Sequence, residues 1–428
     1  MRSTRLNDEA VFKRVSGLWK SDRDPRLNAC VIRGTNIRGD GLLDFSNVVE
    51  LDVEARYLNE RRLEDEDIII ERSGGGPKQP VGRVASFVQP DTRTYFTSNF
   101  TTAIRVIDRT RFDPRYVALY LNSLYLAGAT ASLQRATTGI RNLDWQEYLQ
   151  FQIPEIELAT QQSVVRLVEG VRSLMLAEER QIEIASAIKR AMLNLAFTQG
   201  LRGEPQKETE IGLIPESWEL GRLGNYIDPP DYGFTAKASN EPIGPQFLRI
   251  TDIQDGQVDW CKVPYCPCDE RSLESKRLRK GDVVVARIGA TTGKAFLVGD
   301  CPDAVFASYL IRLRAREQSL AAQFLYFFMQ SDAYWLHIQQ HKGGRLKGGV
   351  NIPILAGLLI PRPSIDEQFE IATLLDTIDC KIDLHRRKSA ILEGIFKALL
   401  HNLMTGELLA ADLDLPALSP NEPEPAAA

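Results

Sequence analysis

The sequence predicts an α+β protein with two globular domains separated by a long antiparallel two-helix coiled coil, related by a pseudo-twofold internal repeat. Two stretches, 158–200 and 365–406, carry apolar residues at alternating spacings of four and three. This spacing keeps one stripe of an α-helix turned towards the same partner helix. The motifs of the first half also recur in order roughly 206 to 216 residues later. We therefore expect each globular domain to be followed by its own helix.

The repeat divides the chain into six predicted segments. The last of them is acidic and rich in proline, a composition typical of disorder. The segment before the second domain is polar and contains proline, which is typical of a connection. The predicted segments are a first globular domain at 1–157, a first helix at 158–200, a linker at 201–217, a second globular domain at 218–364, a second helix at 365–406 and a disordered tail at 407–428.

Short β runs separated by turns dominate both globular domains. Ile68 to Ile70 form an apolar run that leads into glycines, which predicts a buried strand followed by a turn. Residues 113–128 are predicted to be helical, with Asp113 as the N-cap and Pro114 at the first helical position. In the second half, LRKGDVVVARIGATTGK (278–294) corresponds to the strand and turn of the first half.

The two helical stripes predict how the helices pack. At about 1.5 Å per residue each helix would be on the order of 60 Å long, so it needs an equally long partner. Polar residues interrupt the first stripe at Glu178 and Gln181 and the second at His385 and Ser389. An antiparallel pair would bring these together as a polar layer that fixes the register, and solvated mid-helix positions are the alternative. The residues expected to pack between the helices are Leu167, Val171, Leu174, Ile188, Leu195, Ile371, Leu375, Ile378, Ile382, Leu392, Phe396 and Leu399.

Composition excludes several classes of protein. The 428 residues, of which 43% are apolar, are enough for two or three hydrophobic cores. A net charge of −5 argues against a generic nucleic-acid coat, although single domains can still carry basic patches. No apolar run approaches the roughly 20 residues of a membrane span, and the first ten residues do not form a signal peptide. We therefore expect a cytoplasmic protein.

The six cysteines do not form a disulfide framework in a chain of this length. Four of them lie in the second half, but without the paired CxxC spacing of a typical zinc site. We expect reduced structural thiols, with zinc as the alternative. The four are Cys261, Cys266, Cys268 and Cys301.

Two motifs resemble catalytic sequences without matching them. The segment 228–232, DPPDY, is close to the DPPY box of amino-methyltransferases, but Asp231 is inserted before Tyr232 and no glycine-rich cofactor motif precedes it. We expect a turn there. The segment 289–295, GATTGKA, is one residue short of a P-loop, and Ala295 stands where the Mg²⁺-binding hydroxyl is required. A tight glycine turn between two strands is the simpler interpretation. With four histidines and no nucleophile elbow, the sequence shows no catalytic constellation.

Basic, glycine-rich loops recur at the same place in both halves and are the better candidates for function. Their cations and small side chains would let both charge and backbone approach a phosphate chain. Two similar modules held tens of ångströms apart suit duplex DNA, which repeats along its own axis. The predicted contacts are Arg72, Lys78, Arg83, Arg135 and Arg141 in the first domain and Arg287, Lys294, Lys342, Arg345 and Lys347 in the second.

The order of motifs carries a family resemblance. GLIPESWELGRLG (212–224) is followed by FLRITDIQDGQVDW, by LRKGDVVVARIGATTGKA, by GGVNIPILAGLLIPRPSIDEQFEIATLLDTID and by LLHNLMTGEL. This order resembles the specificity subunit of type I restriction-modification systems, enzymes of bacterial defence. The resemblance covers nearly the whole chain and is closest over 212–409.

The resemblance implies what each part does. Each globular part would be a target recognition domain that reads one half of a split DNA sequence, and the paired helices would set the gap. Two modification subunits holding S-adenosylmethionine, and restriction subunits using ATP and Mg²⁺, would be the partners. Catalysis and cofactors would then lie outside this chain. The alternatives are an adenine-specific DNA methyltransferase, which rests on the DPPDY segment alone, and a scaffold whose domains bind protein.

Overall fold

The computed structural model describes residues 2–76, 79–137, 140–341 and 349–410. Within this part of the chain, the first half forms short strands, three short helices and one long helix. Its strands are β1 (Ser3–Arg5), β2 (Phe12–Ser16), β3 (Arg26–Ile32), β4 (Val49–Glu54), β5 (Ile68–Glu71), β6 (Ser73–Gly75), β7 (Val84–Ser86), β8 (Tyr95–Thr97), β9 (Thr101–Val106), β10 (Gln134–Thr137), β11 (Ile140–Leu143) and β12 (Gln152–Pro154), and its helices are α1 (Leu58–Arg61), α2 (Pro114–Leu126), α3 (Trp145–Tyr148) and α4 (Leu158–Thr198).

The second half repeats this order of elements with a few additions. Its strands are β13 (Gln206–Thr209), β14 (Gly212–Pro215), β15 (Glu219–Arg222), β16 (Asp231–Tyr232), β17 (Gln246–Leu248), β18 (Ile253–Gln254), β19 (Gln257–Val258), β20 (Asp282–Ala286), β21 (Ala295–Leu297), β22 (Ala304–Phe306), β23 (Leu310–Arg314) and β24 (Leu359–Arg362), and its helices are α5 (Glu270–Lys276), α6 (Ala322–Phe328), α7 (Asp332–His341), α8 (Ile352–Gly357) and α9 (Ile365–Thr405).

Each half is built on a four-stranded antiparallel sheet, in the order β2-β9-β5-β7 in the first half and β16-β23-β20-β21 in the second. Ile68 and Ile70 of β5 pack with residues of α2, whereas Ile69 faces a second layer that contains β3 and β8. Strand β3 pairs with β8 in parallel. Because the helix and the second layer cover opposite faces, three consecutive residues of the central strand, Ile68 to Ile70, are apolar and buried. The predicted buried strand and the helix with its Asp113 cap and Pro114 are confirmed.

A buried ion pair at the same place in each half shows that the repeat extends to single side chains. In the first half, Arg105 Nε lies 2.7 Å from Asp67 Oδ1. In the second half, Arg314 Nε lies 2.7 Å from Asp282 Oδ1. Both aspartates are fully buried at the start of a central strand. Each therefore needs its arginine to compensate its charge.

A buried glutamine joins each long helix to its globular domain. The amide N–H of Asp113 donates to Gln161 Oε1 over 2.9 Å, and Gln161 Nε2 donates to the Arg111 carbonyl over 2.8 Å. Gln368 makes the same pattern in the second half, since it accepts from the Ala321 amide over 2.8 Å and donates to the Ser319 carbonyl over 3.2 Å. The start of each long helix is therefore fixed to its own domain.

The two long helices have 41 residues each and are shared between two compact units. The first unit comprises Met1–Glu179 with Arg387–Ala428, and the second unit comprises Arg180–Arg386. In the first unit the beginning of α4 shares a core with the end of α9. In the second unit the end of α4 shares a core with the beginning of α9. The helix segments in each unit therefore run antiparallel.

The predicted packing stripe is wrong for part of the first helix. Leu174, Ile188 and Leu195 are 47%, 49% and 42% exposed, whereas Leu167 and Val171 are half-buried. The buried positions of α4 are its neighbours on an adjacent stripe, because the globular domain and the other long helix cover this helix from different sides. These buried apolar residues are Val164, Val165, Val168, Met175, Ala185, Leu193, Ala196 and Phe197.

The stripe of the second helix agrees with the expectation. Its buried members are Ile371, Leu375, Ile382 and Phe396, and Ile378, Leu392 and Leu399 are half-buried.

The polar interruptions make at least one contact between the helices. Lys388 Nζ lies 4.0 Å from Glu178 Oε1 within the first unit, and His385 is buried. The four-residue polar layer stays a prediction.

The predicted linker is folded. Its residues form the β13–β14 hairpin, and the Leu201 amide donates to Glu367 Oε1 over 3.0 Å. The indole of Trp218, fully buried just after the hairpin, lies 3.3 Å from Glu367 Oε2. The tail from residue 411 lies outside the described residues, and the other predicted domain boundaries stay predictions.

We expect the substitution Asp282→Ala to destabilise the second unit by about 3 to 5 kcal/mol, because it removes the buried partner of Arg314. The midpoint of urea unfolding of the purified chain measures the change. Lys280→Ala is a matched control from the same hairpin, since the Lys280–Asp300 pair is 72% and 90% exposed. This control should leave the midpoint unchanged. An Asp282→Ala midpoint equal to that of the wild type would contradict the proposed role of the ion pair.

Candidate nucleic-acid interface

Arg72 lies immediately after the central strand of the first half and is held on both sides of its backbone. Its amide donates to the Phe100 carbonyl over 2.8 Å, and its carbonyl accepts from the Leu143 amide over 2.8 Å. Its guanidinium carbon lies 5.0 Å from the ring centroid of Trp145, and that ring stacks in turn on Tyr148. The sequence motif thus places a cation on a rigid aromatic support.

Arg287 occupies the same position after the central strand of the second half. Its amide donates to the Tyr309 carbonyl over 3.0 Å, and its carbonyl accepts from the Val350 amide over 2.9 Å. The guanidinium carbon lies 4.6 Å from the ring centroid of Tyr232, and Arg287 Nη1 is 3.4 Å from the Ser308 carbonyl. A different aromatic residue therefore supports the equivalent arginine.

Neither arginine has a carboxylate partner among the described residues. The Nε atoms of both are buried and have no hydrogen-bond acceptor in this part of the chain. Burial lowers the pKa of Arg72, which shows that desolvation of its charge is not offset by a neighbouring anion. A half-buried guanidinium of this kind is suited to an external anion or a base-edge acceptor, because its donors match two acceptor atoms in one plane.

Arg83 does not belong to this site. Its guanidinium donates to both carboxylate oxygens of Glu71 over 2.9 and 2.7 Å, to the Ile37 carbonyl over 2.6 Å and to the Gly34 carbonyl over 2.8 Å. These acceptors occupy it inside the domain, so the predicted DNA contact at Arg83 is corrected to a structural role.

Of the other described candidates, Arg135 and Lys294 are exposed and Arg141 is half-buried. Arg135 pairs with Asp144, the N-cap residue of α3. Arg141 lies in β11 opposite Gly75 of β6, and Lys294 is exposed at the glycine turn. The remaining candidates, Lys78, Lys342, Arg345 and Lys347, lie outside the described residues.

The segment that resembles a P-loop is a tight turn between β20 and β21. Gly289 and Gly293 adopt positive φ angles of 86° and 89°. The Gly293 amide donates to the Ala286 carbonyl over 2.8 Å, and the Lys294 amide donates to the Thr291 carbonyl over 2.9 Å. Because these N–H groups are already used, the turn is not a phosphate cradle. The interpretation as a glycine turn is confirmed.

The DPPDY segment is part of the sheet rather than the expected turn. Asp231 and Tyr232 form the edge strand β16. The Asp231 carboxylate pairs with Lys276 at 2.9 Å and with Arg312 at 3.1 Å, and the Tyr232 hydroxyl accepts from the Ile352 amide over 3.3 Å. These partners give the segment a structural role.

Neither a metal site nor a membrane helix is found within the described ranges. No cluster of three or more potential His, Cys, Asp or Glu ligands occurs there. Burial raises the pKa of the Cys266 thiol to about 11, which disfavours the thiolate that zinc requires. None of the helices in this part of the chain is long and apolar enough to span a bilayer.

Both long helices expose a pair of isoleucines at corresponding positions of the repeat. On α4, Ile184 and Ile188 are 46% and 49% exposed. On α9, Ile391 and Ile395 are 63% and 47% exposed. Apolar side chains one turn apart on an exposed helix face are typical of a surface that binds another helix. We call these four residues the outer isoleucine pairs.

Comparison with known proteins points to one family. A family model described as the type I restriction modification DNA specificity domain matches residues 252–393. The chain is 25% identical over 303 residues to the MjaVIII specificity subunit of Methanocaldococcus jannaschii, covering 69% of this chain and 71% of that one. It is 24% identical over 404 residues to the EcoKI specificity subunit of Escherichia coli, covering 89% and 82%.

Solved structures show the same fold. The S subunit of a type I restriction-modification system from M. genitalium matches with a TM-score of 0.56 and 12% identity, covering 94% of this chain and 95% of that one. The chain is thus similar to the specificity subunits of type I restriction-modification systems over most of its length. The matching family model describes a DNA specificity domain, and both relatives are named as specificity subunits of restriction enzymes.

A second solved chain, from work on complex assembly and conformational transition of the type I system, matches with a TM-score of 0.52 and 20% identity, covering 95% and 98%.

Sequence reasoning missed the aromatic residues of the site. Trp145 and Tyr232 support the two arginines, and Phe100 and Tyr309 accept their amide hydrogen bonds. Residue-by-residue alignment of the repeat through the Asp67–Arg105 and Asp282–Arg314 pairs would have matched Phe100 with Tyr309. The supporting rings carry no such signal, because Trp145 and Tyr232 come from different places in the repeat.

We expect Arg83→Ala to destabilise the first unit by about 3 to 5 kcal/mol, because Glu71 would remain buried without its partner. Thermal unfolding followed by circular dichroism measures the effect. Arg135→Ala is the matched control, since the Arg135 side chain is 73% exposed and its loss should leave the melting temperature nearly unchanged. Equal melting temperatures for the two variants would contradict the structural role of Arg83.

Proposed function

We propose that this chain is a specificity subunit that reads a split DNA target, with one domain on each half-site. The observation that carries the proposal is the equivalence of Arg72 and Arg287. Both follow the central strand, both rest on an aromatic ring, and both lack an acidic partner among the described residues. A protein that repeats one cationic site in two domains is suited to a ligand that repeats along its axis, as duplex DNA does.

The two arginines are proposed to read base edges, and the other predicted cations to position the domain on the phosphates. Arginine can donate two hydrogen bonds to O6 and N7 of guanine in the major groove. Lysine and exposed arginine bind phosphate without sequence preference. Lys294, Arg135 and Arg141 are the described positioning candidates, and Lys78, Lys342, Arg345 and Lys347 remain proposed from their sequence alone.

The long helices are proposed to set the gap between the half-sites as a coiled-coil spacer. A helix of 41 residues is about 60 Å long at about 1.5 Å per residue. At about 34 Å per turn, this length corresponds to roughly one and three-quarter turns of B-DNA. The antiparallel packing of the helix segments inside each unit supports this role.

The outer isoleucine pairs are proposed to dock two copies of the modification subunit. Because Ile184 and Ile188 correspond in the repeat to Ile391 and Ile395, one kind of partner surface fits both. S-adenosylmethionine would be held by these partners, and ATP and Mg²⁺ by restriction subunits. We expect the complex to act in the cytoplasm as part of a defence system.

Mapping methylated adenines across the genome of a host, with and without this gene, tests the proposed function directly. The expected result is a methylated motif made of two short specified parts separated by a gap of constant length. If the gene leaves the methylation pattern unchanged while the chain still binds a partner protein, the alternative of a protein-binding scaffold would replace ours.

Replacing each arginine should affect its own half-site only. We expect Arg287→Ala to weaken binding of the mapped target by about 1 to 3 kcal/mol and to relax specificity at one base pair. Arg72→Ala should do the same in the other half. Fluorescence anisotropy of the complex with modification subunits, on duplexes with either half-site scrambled, measures both effects.

Lys280→Ala, in an exposed ion pair, is the control for loss of a cation outside the site. The assignment would be wrong if Arg72→Ala and Arg287→Ala lowered affinity for every duplex equally, since this outcome indicates phosphate contacts.

Loss of one outer isoleucine pair should remove one modification subunit from the complex. We expect the double variant Ile184→Asp with Ile188→Asp to bind one copy where the wild type binds two, because buried carboxylates disfavour the apolar contact. Native mass spectrometry counts the copies. Asn194→Asp adds a charge elsewhere on the same helix and should still bind two. Binding of two modification subunits by the double variant would exclude this docking surface.

A further inference from the structure

Each globular domain exposes one aromatic ring at the same place in the repeat. Phe100 is 47% exposed and Tyr309 is 56% exposed. Phe100 lies in the turn before β9, the strand that carries Arg105. Tyr309 lies in the turn before β23, the strand that carries Arg314. The Tyr309 hydroxyl makes no hydrogen bond to the described residues. Exposure of a large ring in one domain would need no explanation, but its recurrence in both indicates a shared ligand.

The turns that carry these rings are held rigidly. A Cβ added to Gly17 would lie 1.8 Å from the Ser98 carbonyl oxygen, and one added to Gly233 would lie 2.3 Å from the Ala307 carbonyl oxygen. Because glycine has no side chain, the segment that contains it can pack its backbone against the residue two positions before the ring. The ring is presented to solvent by a fixed backbone.

The cleft beside Tyr309 is lined by apolar, basic and acidic groups, the acidic ones being Asp255, Asp376, Asp379 and Asp383. Tyr309 lines an open cleft of about 1080 Å³ in the second unit, together with Ile288, Lys294 and Trp335. Ile288 is also exposed, and Arg287 donates its amide to the Tyr309 carbonyl. The exposed ring of Tyr309 and the side chain of Lys294, which has no ion pair within the described ranges, together match a nucleobase, which presents a π-face with a phosphate nearby.

We propose that Phe100 and Tyr309 each stack on one base of their half-site, which must be unstacked from its neighbour in the bound duplex. This inference rests on the proposed DNA reading and adds to it a distortion of the DNA at both half-sites. Insertion of a side chain at a base step is accompanied by unstacking and kinking of the duplex. The arginine identifies a base edge while the ring beside it takes the face of a neighbouring base.

The full chain with its modification subunits is tested on duplexes that carry 2-aminopurine at successive positions of one half-site. Fluorescence of this base rises when it loses stacking. We expect a several-fold rise at one position for the wild type. Tyr309→Leu should abolish this rise and weaken binding roughly 5- to 150-fold, which corresponds to loss of one base–aromatic stack. Tyr309→Phe and Tyr309→Trp should retain both.

Leucine is chosen because it keeps apolar bulk while removing the ring. Phe100→Leu is the matched variant and should change the signal only in the other half-site. The urea midpoint of each variant should equal that of the wild type, since both rings are exposed.

Three outcomes would overturn the inference, and they are distinguishable from failure of the proposed function. Equal affinity and no fluorescence change for Tyr309→Leu, in a wild type that still binds its target, would remove the stacking role alone. If the Tyr309→Leu variant bound fewer modification subunits while the 2-aminopurine fluorescence stayed as in the wild type, the ring would instead contact a partner protein. If the wild type bound no duplex specifically, the proposed function would fail together with this inference.

Discussion

Burial of one short strand on both faces determines the rest of each domain. In β5 the side chains of Ile68 and Ile70 enter the core beneath α2, and Ile69 enters the core under the parallel pair. In β20, Val283 and Val285 face the helical core, and Val284 faces the other layer. Since neither face can slip towards solvent without exposing apolar side chains, the register of the strand is fixed. The arginine that follows it is therefore delivered to the same point in both domains.

The two units join the globular domain to the helices by different cations in comparable places. In the second unit, Lys189 of α4 donates to Asp379 of α9 and to Gln330 of the globular domain, each over 2.7 Å. In the first unit, Arg172 of α4 donates to the Asp40 carbonyl of the domain and lies over the ring of Phe396 of α9. One cation thus contacts both helices and the domain in each unit, which ties the reading surface to its helix segments.

Sequence patterns succeeded where one dominant interaction decided the structure. The apolar stripe of α9 agrees with its burial, since Ile371, Leu375 and Ile382 are buried members of the predicted stripe. The stripe of α4 was wrong at Leu174, Ile188 and Leu195 because the helix is covered from more than one side, and heptad spacing cannot choose between adjacent stripes. Arg83 was misassigned for a related reason. A glycine-rich basic motif does not reveal whether Glu71 turns its carboxylate towards the arginine.

The amino-acid sequence by itself determined the repeat, the central strands, the long helices and the family resemblance, because each depends on residues close together in the chain or on their order. Only the tertiary structure decided which of the described cations pair with a carboxylate and which rings are exposed. Arg72, Arg83 and Arg287 have the same chemistry, and they differ in the acceptors that distant segments bring to them. Those segments meet only when the layers pack, so the identity of the reading surface is a property of the fold.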